Sequence, residues 1–235
     1  MMILPDIYLL SGFAYQIHQN VYGIAIQNEK RLVLIDTGLD GKDIEQIRKT
    51  MKVWGLDGYK ITEILLTHAH FDHTGNASYF ERQGATLYAG NVDADSIETG
   101  DEHTIGYAYG RDFPTCQNVK RQMNGERLYL AEDYEVECYH TPGHTEGSMC
   151  YELHHGGRRI LFTGDFIQTG ENLIGVRVDS SYCYKKYLSS VLQMEQIKSD
   201  VLLPGHFHPY LKPARYLIQA AHRELLVNRD RYRDL

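Results

Sequence analysis

Apolar positions recur along this chain in two rhythms. Short runs rich in β-branched residues predict strands at 7–15, at 21–27 with loose alternation, and at 31–36, where "RLVLID" runs into Thr37-Gly38. Residues 41–53 switch to helical spacing, with Ile44, Ile47 and Met51 on one face. A buried strand is expected at 61–66, then a polar, histidine-dense loop at 67–75, a short helix at 76–83 and a strand at 85–89. Residues 91–127 follow neither rhythm. They are rich in Gly, Asp and Tyr yet keep Tyr107, Tyr109 and Phe113, and read as a helix-containing insertion or lid. Strands resume at 128–130, 134–139, 149–153 and 159–163. Helices follow at 184–198 and 213–231, with "DVLLP" as a strand between them. Strands and helices alternate in both halves, so the fold class is α/β or α+β with layered packing. Residues 1–235 read as a single domain with an insertion at 91–127, free of repeats, low-complexity tracts and linkers.

Charge narrows the partners. The chain carries 24 Lys+Arg against 31 Asp+Glu, a formal net of −7. That field repels polyanions, so the expected partner is a small-molecule substrate and not a nucleic acid. Cys116, Cys138, Cys150 and Cys183 form no C-x-x-C pair and read as reduced thiols of a cytoplasmic protein. No apolar run reaches the roughly 20 residues that a membrane span needs. The apolar start lacks a basic region and is broken by Pro5 and Asp6, so a cleaved signal peptide is not expected.

The histidines change the picture most. "LLTHAHFDHTGN" places His68, His70, Asp72 and His73 within six positions, directly after a predicted buried strand. In extended backbone, residues two apart point to the same side, so His68 and His70 can grip one ion together. Where the chain curls, Asp72 and His73 can turn toward a second. Imidazole and carboxylate suit zinc, and also iron or manganese. His144 in "TPGHTEGS", Asp165 after "ILFTG" and His206 in "LLPGHFHP" each follow apolar chain, as a rigid scaffold presents ligands on loops. Five histidines and two aspartates suffice for two four- or five-coordinate ions if one carboxylate bridges and a water completes the set.

His68-x-His70-x-Asp72-His73, followed by His144, Asp165 and His206 in that order, resembles the metallo-β-lactamase-fold superfamily of metallohydrolases. The resemblance runs from "IDTG" (Asp36, Thr37, Gly38) to "PGH" (Pro204, Gly205, His206). It implies a four-layer αβ/βα sandwich with two divalent metal ions at one edge. His68, His70 and His144 would form the first site and Asp72, His73 and His206 the second. Asp165 would bridge them, and Asp36 would steady the metal loop from outside the ligand set.

Asp165 resembles glyoxalase II, lactonases, phosphodiesterases and persulfide dioxygenases rather than true β-lactamases, which lack a bridging aspartate there. The Gly-Arg-rich stretch of glyoxalase II is missing after Asp165. Where acyl-homoserine lactonases carry a catalytic Tyr, this chain has Gln168, with Tyr182 and Tyr184 further on. Arg223, Arg229, Arg231 and Arg233 interleave with Glu224, Asp230 and Asp234, which reads as a solvated helix face. The expected activity is that of a dinuclear metal-dependent hydrolase cleaving an ester, thioester or lactone, with Asp72 both a ligand and the proton-handling catalytic residue. The alternatives are a mononuclear iron dioxygenase held by His68, His144 and Asp165, or a non-catalytic binding protein on the same fold. A homodimer is left open. Of the other histidines, His103 and His208 read as loop residues, His140 as a strand end and His154-His155 as the flank of a Gly156-Gly157 hairpin turn. His18 and His222 have no visible partner.

Overall fold

The computed structural model describes residues 1–228. Its first half builds a seven-stranded sheet whose order follows the chain: β1 (Met2–Leu4), β2 (Ile7–Ser11), β3 (Val21–Ile26), β4 (Arg31–Ile35), then α1 (Gly41–Val53) before β5 (Lys60–Leu65). The short helices α2 (Phe71–Thr74) and α3 (Ala77–Glu81) precede β6 (Thr86–Gly90), and α4 (Asn91–Thr99) precedes β7 (Val119–Gln122). The second half is a five-stranded sheet. β8 (Arg127–Ala131), β9 (Tyr134–His140), β10 (Met149–His155) and β11 (Arg158–Gly164) run as a meander, and after α5 (Tyr184–Met194), β12 (Val201–Pro204) joins β11 in parallel. The helix α6 (Arg215–Val227) closes the described chain.

Period-2 alternation decides which side of each strand meets which layer. Tyr22, Ile24, Val33 and Ile35 face across to Tyr151, Leu153, Phe162 and Leu203, forming a core between the two sheets. The alternate residues Val21, Ala25, Leu32 and Leu34 pack under α1, α3 and α4. On the far side, Cys150, Leu161 and Leu202 pack under α5 and α6. Helices therefore cover the outer faces of both sheets, which is the four-layer αβ/βα sandwich. It also explains why the strands read as nearly unbroken apolar runs: both faces are buried. Each large side chain removed from water there contributes about 1.5–3 kcal/mol.

The helix expected at 41–53 is found over that range, opened by a reciprocal capping box between Asp40 and Asp43. Gly156 and Gly157 both take positive φ in the β10–β11 turn, as a tight hairpin requires. Two expectations change. The strand expected at 7–15 stops at Ser11, because Gly12, at φ 137°, turns the chain. The stretch 91–127 is not irregular throughout. Its start is α4, and β7 pairs in parallel with β6 from Leu87↔Val119 to Gly90↔Gln122. β7 escapes a pattern search because Lys120 and Arg121 are exposed on a sheet edge, where charge is tolerated. The part without strand or α-helix narrows to residues 100–118. Arg229, Arg231 and Arg233 lie outside the described residues, as does the end of the helix expected to reach 231. Among the described residues, no helix is long and apolar enough to cross a membrane, and the four cysteines are free thiols.

Candidate metal centre

β4 and β5 run in parallel, as do β11 and β12, while β9 follows the direction of β11 through two antiparallel pairings. The carboxyl ends of these strands carry the chemistry. Asp36 follows β4, His68 to His73 follow β5, His144 follows β9, Asp165 follows β11 and His206 follows β12. Strand ends held by a packed core are rigid, and open α/β sheets place ligands outside them.

The backbone of the β5 loop is fastened at both ends by one carboxylate. Asp36 accepts from the Thr67 N–H (2.8 Å) and the Thr67 hydroxyl (2.8 Å), and holds His73 Nδ1 at 2.9 Å. His206 Nδ1 donates to the His18 carbonyl at 3.0 Å. With both Nδ1 atoms acting as donors, His73 and His206 each present an Nε2 lone pair, and these two atoms lie 3.1 Å apart. Two lone pairs at that distance repel unless a cation sits between them and their neighbours. Asp72 Oδ2 is 3.5 Å from each of the two Nε2 atoms. Asp165 Oδ1 is 3.3 Å from His73 Nε2 and 3.2 Å from His206 Nε2. Ligand atoms around a tetrahedral ion at about 2.0–2.1 Å are about 3.3–3.4 Å apart. The four donors thus already stand at the spacing of a coordination shell.

The donors of the first site, the three-histidine cluster, adjoin those of this second one. His68, His70 and His144 are buried, and their rings form a near-equilateral triangle with centroids 4.6, 4.7 and 4.9 Å apart. His70 Nδ1 and His144 Nε2 face each other at 3.1 Å. Asp165 Oδ2 turns toward this cluster, 3.6 Å from His144 Nε2, while its Oδ1 serves the other. His68 Nε2, His70 Nε2, His144 Nδ1 and Asp165 Oδ1 are buried without a hydrogen-bond partner. Buried polar atoms are seldom left so, and a nitrogen-and-oxygen donor set of this kind fits divalent transition ions. Only glycine fits at position 205, against the His73–His206 cluster, since a Cβ there would sit 2.8 Å from both Asp165 Oδ1 and His73 Cε1.

Electrostatics divide the histidines in the same way. Burial holds His68 and His70 well below the ordinary histidine pKa, and lowers His144 too. His73 is also buried, yet the charges of Asp72 and Asp165 overcome that cost and raise it well above the ordinary value. His206 is raised in the same manner, chiefly by Asp165. Against its own burial, Asp165 is held well below the usual carboxylate range by His206 and His73. Asp72 and Asp165 thus favour positive charge beside His73 and His206, where a metal cation would stand.

A cleft of about 420 Å³ opens onto Asp165, His144 and His206. Ile174, Val176, Val178 and Phe207 give it apolar lining, and Gln168, Glu171 and Asn172 give it polar groups. The aromatic residues of the 100–118 stretch are not among its lining. Phe113 and Tyr109 instead pack their rings 5.4 and 5.6 Å from Phe71, the residue before Asp72. The Tyr109 hydroxyl faces the Asp72 carboxylate. Tyr107 is exposed and its hydroxyl reaches the Val178 carbonyl at 3.4 Å, while His103 pairs with Asp179 at 3.0 Å. These contacts tie the 100–118 stretch to the cleft wall.

All seven residues singled out in the sequence converge here. His18, which showed no partner, stands beside them: its ring lies 4.4 Å from that of His206, and it groups with Asp72 and His206. His222 pairs with Glu195 at 2.8 Å, away from the site. One buried residue escaped notice. Asp93, on α4, accepts hydrogen bonds from both ligand-bearing loops. An aspartate in the first turn of a helix is too common to draw attention in a sequence.

Comparison with known proteins agrees with this architecture. The family described as the metallo-beta-lactamase superfamily matches residues 16–206. Hydroxyacylglutathione hydrolase of Polaromonas sp. (strain JS666) is 30% identical over 161 residues, which are 67% of this chain and 53% of that protein. The chain thus matches about half the length of that relative. Acyl-coenzyme A thioesterase MBLAC2 of Gallus gallus is 26% identical over 201 residues, covering 79% of this chain and 72% of that one. A solved B3 metallo-beta-lactamase with an active-site glutamic acid aligns with a TM-score of 0.77 at 25% identity, over 97% of this chain and 88% of that one.

Proposed function

The chain belongs to the metallo-beta-lactamase superfamily, and on that premise we propose that it is a dinuclear metal-dependent hydrolase of small thioesters, esters or lactones, with zinc as the leading metal. The observation that carries this is the shared carboxylate: Asp165 directs one oxygen to each of two adjacent donor clusters. Thioesters come first among the substrates because similar proteins are a hydroxyacylglutathione hydrolase and an acyl-coenzyme A thioesterase.

His68, His70 and His144 would hold one ion and Asp72, His73 and His206 the other, with Asp165 between them. When bound, such ions lower the pKa of a shared water toward about 7 and polarise the scissile carbonyl. The protein's own part is placement. Asp36 fixes the tautomer of His73 and both ends of the β5 loop, as outer partners of metal ligands generally do. Asp72 sits at the cluster edge with its carboxylate toward both Nε2 atoms, placed to hold the attacking water and take up its proton. Ile174, Val176, Val178 and Phe207 exclude water around an apolar acyl group. A volume of about 420 Å³ lies within the usual range for small-molecule sites, and neither that size nor the net charge of −7 suits a nucleic acid.

The test is a metal count joined to a substrate panel. Two ions per chain and oxygen-independent cleavage of a thioester are the expected result. One iron per chain with oxygen uptake on a persulfide overturns the proposal in favour of a dioxygenase.

A further inference from the structure

Asp93 is buried in the first turn of α4, and the three donors around it are all neutral. Its Oδ2 accepts from the Ala69 N–H at 2.8 Å and from the Thr145 hydroxyl at 2.7 Å. Its Oδ1 accepts from the Gly147 N–H at 2.7 Å. Ala69 lies between His68 and His70, and Thr145 follows His144. One carboxylate therefore joins the two separate chain segments that supply the three-histidine cluster. The fit is close: a Cβ on Gly147 would lie 2.4 Å from Asp93 Oδ1 and from its backbone nitrogen. Burial pushes the Asp93 carboxyl up to about 6, so the position is expensive to maintain, and an apolar residue would pack under α4 without that penalty.

We propose that Asp93 is the positioning residue of the His68–His70–His144 cluster, setting the gap between its two segments and hence its affinity for a divalent ion. This rests on reading that cluster as a metal site. It makes the two outer carboxylates a matched pair. Asp36 governs the second cluster through His73 Nδ1, and Asp93 governs the first through the backbone on either side of its ligands. Asp93→Asn presents an amide N–H₂ to one of three groups that are themselves donors, so one segment must move away. Asp93→Glu does not restore the arrangement, because Gly147 leaves no room for another methylene.

The experiment titrates cobalt(II) into metal-free wild type, Asp93→Asn, Thr145→Val and Asp36→Asn, following the visible absorption of each bound ion and its competition with a chelator. Asp93→Asn is expected to weaken one of the two ions about 10- to 100-fold while the other keeps its affinity and spectrum. Thr145→Val removes a single donor, so it should shift the same ion in the same direction by less. Asp36→Asn should weaken the other ion. If wild type binds no cobalt, the metallohydrolase reading itself fails. If wild type binds two ions and Asp93→Asn leaves both affinities unchanged, the positioning role is refuted. It is refuted equally if Asp93→Asn and Thr145→Val weaken both ions alike in step with a fall in metal-free melting temperature.

Discussion

Stripping the metal should destabilise this fold by an amount its geometry sets. His68 Nε2, His70 Nε2, His144 Nδ1 and Asp165 Oδ1 are buried with no hydrogen-bond partner, and at about 1–3 kcal/mol for each unsatisfied buried polar atom they cost about 4–12 kcal/mol together. Filling both clusters removes that penalty from the native state alone, since the unfolded chain has no preformed site. Linkage gives a second route to the magnitude. An ion present at a hundred times its Kd stabilises by about 2.7 kcal/mol, so two sites yield about 5 kcal/mol. The two routes agree. For a domain of this length, each kcal/mol moves Tm by about 2–4 °C, so saturating zinc should raise the melting temperature of chelator-treated protein by about 10–20 °C. The assay is differential scanning calorimetry of metal-free protein against a zinc series, with Asp165→Ala as a control expected to lose most of the shift. A wild-type Tm that ignores zinc, or an Asp165→Ala protein that responds as fully as wild type, would refute the reasoning.

Other expectations follow from the same site. His73 and His206 are raised above the ordinary histidine value, so their contribution to metal-free stability is fully present below about pH 6.5 and fades as pH climbs through the raised values, the window in which the fold holds extra protons relative to its unfolded chain. Metal must displace such a proton, so calorimetric titration of zinc at pH 7 in buffers of different ionisation heat should show release of about one proton, with affinity rising with pH; no buffer dependence argues against it. Asp72→Asn should keep much of the bound metal while kcat falls about 10²- to 10⁴-fold, because proton handling needs a carboxylate, and equal losses of metal and rate would leave Asp72 a ligand only. Phe113→Ala should destabilise the fold by about 3–5 kcal/mol through the cavity it leaves, whereas Tyr107→Ala, on an exposed side chain, should leave urea midpoints nearly unchanged. The reverse ranking would mean that residues 100–118 pack differently.

What could be read in advance was local, and what could not was relational. The helix at 41–53 and the strands of both sheets announce themselves because burial on one or two faces imposes a period on the sequence. The ligand set is legible for a similar reason: His68, His70, Asp72 and His73 follow one strand, so their mutual placement is a property of a short segment. β7 was hidden because an edge strand has little apolar content to display, and its pairing partner β6 lies about thirty residues back. The stretch around Tyr107, Tyr109 and Phe113 reads as an insertion or lid, and without a period it does not say what its aromatic rings touch. Phe113 and Tyr109 meet Phe71 edge-on beside the metal loop, and Tyr109 also turns its hydroxyl to Asp72.

The twelve histidines show what separates a ligand from a bystander. His73 and His206 each have Nδ1 occupied, by Asp36 and by the His18 carbonyl, which aims Nε2 inward. His222 and His103 meet single carboxylates, Glu195 and Asp179, and among the described residues neither joins a cluster of ligand-type side chains. His140 spends Nε2 on the Glu146 carbonyl. Residue type nominates all of these equally; spacing and sequence context single out His73 and His206, and the outer hydrogen bonds show how they are aimed. Those bonds come from Asp36, which the "IDTG" segment marks, and from Asp93 and a loop carbonyl, which carry no motif of their own. The tautomer and aim of a metal ligand are set in part by residues that a motif search passes over. Substitution at Asp93 or Asp36 should therefore change metal affinity although none of the seven converging histidines and aspartates is itself replaced.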